Sequence, residues 1–110
     1  PLVCKTALAV LEVIEKDNIL SNTMQMGEYL LSSFKSKLSN SDKVLEIRAK
    51  GLMLAIELKQ DCSSLLVEAL NKKLLLNITG QSIRLLPPLI MGKTEADIMI
   101  NTVCELIDAV

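Results

Sequence analysis

Apolar residues recur three and four apart at Val3, Ala7, Val10, Leu11 and Ile14, with Glu12, Glu15 and Lys16 on the other side. That period predicts a helix. Asp17-Asn18 punctuates it, and Asn18 is placed to cap a second helix. The second helix carries Leu20, Met24, Gly27, Leu31, Phe34 and Leu38 as one stripe and runs out in Ser39-Asn40-Ser41-Asp42. There the period changes to two. Leu45, Ile47 and Ala49 alternate with Glu46 and Arg48, the pattern of a half-buried strand. Lys50-Gly51 reads as a turn, and Leu52, Leu54, Ile56 and Leu58 form the apolar face of a second strand, so a hairpin is expected.

Asp61 is placed to cap a third helix with Leu65, Leu66, Ala69 and Leu70 inward, and Lys72-Lys73 complement the dipole at its end. Leu74 to Ile78 and Ile83 to Leu86 read as two short strands joined by a turn through Gly80. Pro87-Pro88 ends the second of them, since proline has no N–H for a ladder. Thr94 and Asp97 have the spacing of a capping box. A final helix is then expected to bury Ile98, Val103, Leu106, Ile107 and Val110. The order of elements predicts a single α+β domain over residues 1–110, a small, mainly antiparallel sheet with helices packed against it.

Composition sharpens this picture in one respect. Half of the 110 residues are hydrophobic, yet Tyr29 and Phe34 are the only aromatics. The core must therefore come from aliphatic side chains, with the five methionines as filler. The chain also holds more apolar residues than so small a domain can bury, and its first helix is apolar around most of its circumference. Such a helix is expected to pack on a second surface, in a partner domain or subunit. The start at Pro1 rather than Met fits a chain whose upstream part is missing.

Twelve basic residues stand against thirteen acidic ones with neither sign clustered, which argues against a nucleic-acid surface. No stretch suits a membrane span or a signal peptide. Cys4, Cys62 and Cys104 are odd in number and far apart, the usage of idle or buried thiols in a reducing, cytoplasmic compartment.

The chemistry-bearing residues are few. With no histidine, the commonest general base, the Ser/His and Cys/His pairs and most zinc sites are excluded. Gly27, Gly51, Gly80 and Gly92 are isolated, so no phosphate-cradling loop exists. Glu12 and Glu15 share a helix face of the kind that is simply solvated. Arg84 is a lone cation between Ile83 and Leu85. Taken alone, it reads as an arginine on the wet face of a strand.

The segment Ile83-Arg84-Leu85-Leu86-Pro87-Pro88-Leu89-Ile90 resembles the carboxyl-terminal signature of the class III pyridoxal-phosphate aminotransferases. Leu75-Leu76-Asn77-Ile78-Thr79-Gly80 before it and Thr94-Glu95-Ala96-Asp97-Ile98 after it stand at the family's spacing. The stretches from Ala7 to Ile14, Gly27 to Leu30 and Lys50 to Leu58 match as well, so the resemblance covers the whole chain. Asn77, Gly80 and the Arg84-to-Leu89 run are most similar to the branch acting on N-acetylornithine.

That resemblance implies the C-terminal small domain of a fold-type I enzyme, one that moves an amino group to 2-oxoglutarate in arginine biosynthesis. It implies a homodimer whose large domain, absent here, holds pyridoxal 5'-phosphate on a lysine. No lysine of this chain stands in a matching motif, so no catalytic or cofactor-binding residue is expected within it. Arg84 stands where the family's small domain supplies the arginine that receives a substrate carboxylate. Lys50 departs from the arginine that the family often has before the hairpin glycine, a position read as structural. Ornithine, succinylornithine and 4-aminobutyrate remain alternative donors. A free-standing α+β binding module is the competing class.

Overall fold

The computed structural model describes residues 1–110. Helices α1 (Leu2–Lys16) and α2 (Ile19–Lys37) lead into a hairpin of β1 (Val44–Lys50) and β2 (Met53–Leu58). Helix α3 (Leu65–Asn71), strands β3 (Asn77–Thr79) and β4 (Ser82–Leu85) and helix α4 (Lys93–Asp108) follow. The strands form one sheet in the order β1-β2-β4-β3, antiparallel at every pairing. The expected α+β architecture is present.

The hairpin forms for the reason its pattern suggests. Leu52, Leu54, Ile56 and Leu58 are all buried, and Gly51 turns the chain with φ +55, a region open to glycine at no steric cost. Ile56, opposite Ile47 on one side and Ile83 on the other, and Leu54, opposite Leu85, set the inner face. Leu30 and Phe34 of α2 and Ile100, Val103, Leu106 and Ile107 of α4 join the same core. Two polar contacts tie the helices to distant segments. Asn22 Nδ2 donates to the carbonyls of Leu89 and Met91 at 2.7 and 3.1 Å. Lys43 Nζ donates to the terminal carbonyls of α4, Ile107 and Asp108, at 3.2 and 2.6 Å, satisfying groups that a helix end leaves unpaired.

Several sequence-based expectations need correction. Leu45 is 62% exposed because a register shift between Val44 and Glu46 inserts one extra residue into β1. Such a bulge turns the extra side chain out of the alternation, and Val44 packs on the core in its place. In α2 the buried face is Ile19, Gly27, Leu30, Phe34 and Leu38, whereas Leu20 and Met24 are exposed. Leu66 and Leu70 of α3 and Ile98 of α4 also face outward, with Ala96, Met99 and Ile100 taking the inner positions of α4. Of the methionines only Met91 and Met99 are core residues.

The expected caps are different too. Asn18 does stand at the N-cap of α2, but in a left-handed conformation with no side-chain cap bond. Asp61 accepts from Ser63 N and Oγ at 3.0 and 3.1 Å, forming a turn ahead of α3, whose N-cap is Ser64. These bonds favour its ionised form and lower its pKa. Thr94 and Asp97 make no capping box, since Gly92 is the N-cap of α4. Asp97 accepts instead from the Tyr29 hydroxyl, whose pKa that bond raises, and so joins α4 to α2.

Helix α1 buries none of its residues. Leu2 and Val3 are about 80% exposed, and Leu8, Val10, Leu11 and Val13 are open as well. With Leu75 at 85% exposure on the loop before β3, the chain presents more apolar surface than a self-contained domain tolerates. The isolated chain is therefore expected to self-associate, at about 25 cal/mol per Å² of apolar area removed from water. Sedimentation at rising concentration, with an apolar-surface dye, checks this; a strict monomer that binds no dye refutes it. No helix is long and apolar enough to cross a membrane.

Candidate functional site

Buried residues of α2, α3 and α4 share one core with the inward residues of the strands, and Arg48, Lys50, Met53 and Arg84 mark an exposed opposite face of the sheet. Alternation along the strands brings its residues into register as rows. Arg48, Ala55, Arg84 and Asn77 stand opposite one another across β1, β2, β4 and β3. Beside them runs the row Glu46, Glu57, Ser82 and Thr79. Lys50 faces Met53 at the hairpin end. Side chains directly opposite on such a face have Cβ atoms about 4.5–5.5 Å apart and interact.

The two arginines of the first row differ in their commitments. Arg48 Nη1 donates to Glu57 Oε2 at 2.7 Å and to Glu46 Oε2 at 2.9 Å. The bond to Glu57 is the main cause of its raised pKa. Arg84 is exposed and has no ion pair. Between them Ala55 contributes only a methyl group. The result is an open cleft of about 500 Å³ lined by Arg48, Lys50, Met53, Ala55, Thr79, Ser82 and Arg84 together with Ala49 and Leu54.

Cations, hydroxyls and apolar groups line this cleft, with neither a carboxylate nor an imidazole. What it offers is a seat for an anion. A guanidinium can hold a carboxylate by two parallel hydrogen bonds, which fixes its orientation as well as its position. The same lining does not fit pyridoxal phosphate: no acidic side chain is there to hold a pyridinium nitrogen, and no glycine-rich loop is there to cradle a phosphate.

Arg84 thus lies where the sequence reading put it, on the open side of a strand. That reading missed its neighbours. The hairpin register alone was legible: a two-residue loop at Gly51-Leu52 pairs position 50 with 53, 48 with 55 and 46 with 57, which puts Glu57 in the row beside Arg48 without saying which side chains bond. The cysteines are separate from the cleft. Cys62 is buried and Cys104 half-buried, burial pushing both thiols up, while Cys4 is exposed on α1. No group of three or more metal-ligating side chains occurs.

The fold is shared with known enzymes. A Bacillus anthracis aminotransferase superposes on all of this chain with a TM-score of 0.88 at 27% identity, over 28% of that protein. The ornithine delta-aminotransferase of Plasmodium falciparum matches 90% of the chain with a TM-score of 0.84 at 25% identity, over 27% of its own length. The architecture is that of the C-terminal small domain of a fold-type I aminotransferase. The class-III aminotransferase family model matches residues 1–107, and the chain belongs to that family. Acetylornithine aminotransferase 1 of Bordetella pertussis is 40% identical over 108 residues, which are 97% of this chain. The chain spans about 28% of the length of these curated relatives.

Proposed function

We propose that residues 1–110 are the C-terminal small domain of a cytoplasmic, homodimeric aminotransferase that transfers the amino group of N-acetylornithine to 2-oxoglutarate in arginine biosynthesis. Its own contribution is Arg84, the receiver of a substrate carboxylate. The observation that carries this reading is the uncommitted guanidinium of Arg84 beside an open cleft, next to an arginine that two carboxylates already engage. The choice of N-acetylornithine is supported by the likeness to relatives of that name. The likeness to an ornithine aminotransferase supports ornithine as the second donor to test.

Pyridoxal 5'-phosphate, in this reading, belongs to the large domain. That domain and the second subunit cover the apolar side of α1 and the loop around Leu75. Held by two hydrogen bonds to Arg84, the carboxylate is fixed in orientation, and a large part of the entropy cost of reaction is met on binding. The cleft serves orientation; the proton transfers and the covalent chemistry belong to residues outside this chain.

The test is a comparison of the full-length protein with the chain alone. The full-length protein is expected to transaminate N-acetylornithine with a higher kcat/KM than ornithine, succinylornithine or 4-aminobutyrate. The chain alone is expected to be inactive and to bind no stoichiometric pyridoxal phosphate. Absence of transamination by the full-length protein, or a one-to-one cofactor complex at a single lysine of the isolated chain, overturns the proposal. A higher kcat/KM for ornithine overturns the choice of donor.

A further inference from the structure

Ala55 occupies the middle of β2, a strand paired on both sides. Alanine is depleted in strands, where β-branched and aromatic side chains cover neighbours better. The inward residues of β2 follow that preference for bulk, with Leu54, Ile56 and Leu58 all buried. The outward ones, Met53 and Glu57, are also large. Ala55 alone leaves a gap, and the gap lies between two arginines, opposite Arg48 on one strand and Arg84 on the other.

Those two strands stand about 9.6 Å apart, twice the spacing of neighbouring strands. Two guanidiniums facing one another across a methyl group would repel, but the ion pairs of Arg48 with Glu46 and Glu57 counter its charge and draw it toward their row. The space above the Ala55 methyl is therefore bordered by one engaged cation and one free one. It is wide enough for a carboxylate and for a small part of the group that bears it.

We propose that Ala55 is a specificity-determining residue: its methyl is the floor of the carboxylate seat beside Arg84 and limits the bulk of the group carried next to that carboxylate. This rests on the reading of Arg84 as the carboxylate receiver. A valine or leucine at this position projects into the seat and forces the ligand away from the guanidinium. Neither is expected to harm the fold, because the face is open and valine is favoured in a strand.

The experiment is steady-state kinetics and thermal stability of the full-length protein carrying Ala55→Gly, Ala55→Val and Ala55→Leu. KM for the amino donor is expected to rise roughly tenfold for valine and more for leucine, in line with the cost of one or two misplaced methylenes in a fitted pocket. The expected change in kcat is smaller than that in KM, and Tm of the valine variant is unchanged or raised; Ala55→Gly, which widens the seat, is expected not to raise KM but to lower Tm, since glycine weakens a strand interior. Should leucine lower Tm, valine carries the test.

A parent-like KM for Ala55→Val while Arg84→Ala is impaired overturns the role of Ala55 and leaves that of Arg84 standing. Parent-like kinetics for both variants overturn the role of Arg84 and this one with it. A fall in kcat and Tm together, with KM unchanged, makes Ala55 structural and overturns the proposal.

Discussion

Alanine in place of Arg84 is expected to lower kcat/KM of the full-length enzyme by roughly 30- to 900-fold, or about 2–4 kcal/mol, the scale of a lost charge-assisted pair in a partly dry site. The same substitution is expected to leave the Tm of the isolated chain almost unchanged, because Arg84 is exposed and bonds to no carboxylate. Lysine keeps the charge but cannot reproduce two parallel hydrogen bonds, so Arg84→Lys recovers only part of the loss. The purely structural alternative reverses the pattern, with lower stability and nearly normal kinetics. Measuring kcat/KM with N-acetylornithine beside thermal unfolding separates the two. Arg48 is the natural control. Its loss leaves Glu46 and Glu57 facing one another without a cation, so its cost should reach the fold as well as the cleft.

Gly27→Ala is expected to be the most damaging single-methyl addition in this chain. Gly27 lies within α2, and a Cβ there would meet the Gly51 carbonyl oxygen at 2.3 Å and its carbon at 2.6 Å. Both are backbone atoms of the hairpin turn, which cannot rotate aside as a side chain would. Two effects compete. Alanine favours a helix over glycine by about 1 kcal/mol, whereas overpacking a fitted contact costs typically 1–3 kcal/mol and occasionally more. Contact with rigid backbone well inside van der Waals range puts the clash at or above the top of that span, so destabilisation wins. The expected net loss is about 2 kcal/mol, a fall in Tm of roughly 8–16 °C for a domain of this size. Thermal unfolding of Gly27→Ala beside Glu28→Ala, an exposed neighbour that carries no such contact, isolates the clash. An unchanged or higher Tm refutes it.

The hairpin was legible because four apolar residues at a period of two, set after a glycine, have one solution on a sheet. The helices were legible as helices but not in their orientation. Where apolar residues exceed the inward positions, a stripe such as Leu20-Met24 competes with Ile19-Leu30, and spacing alone cannot choose between them. Leu45 was misread for another reason. One extra residue in β1 shifts the alternation, and nothing in the local pattern announces a bulge whose cause lies in pairing with β2. Asp61 was misread as a cap and Asp97 as the acid of a capping box because a carboxylate has several donors within reach. Ser63 and Tyr29 took them.

Arg84 stood out from its apolar neighbours in the chain, and its motif carried the resemblance to the family. Its freedom did not stand out. Two arginines alternate outward in this sheet, and the chain alone does not say which is engaged. That depends on Glu57 arriving beside Arg48 from the neighbouring strand and on Ala55 leaving the space between the pair open. Local periods are written in the order of residues, because they follow from the geometry of a single strand or helix. Which cation remains available is a property of register between strands, and only the folded sheet decided it.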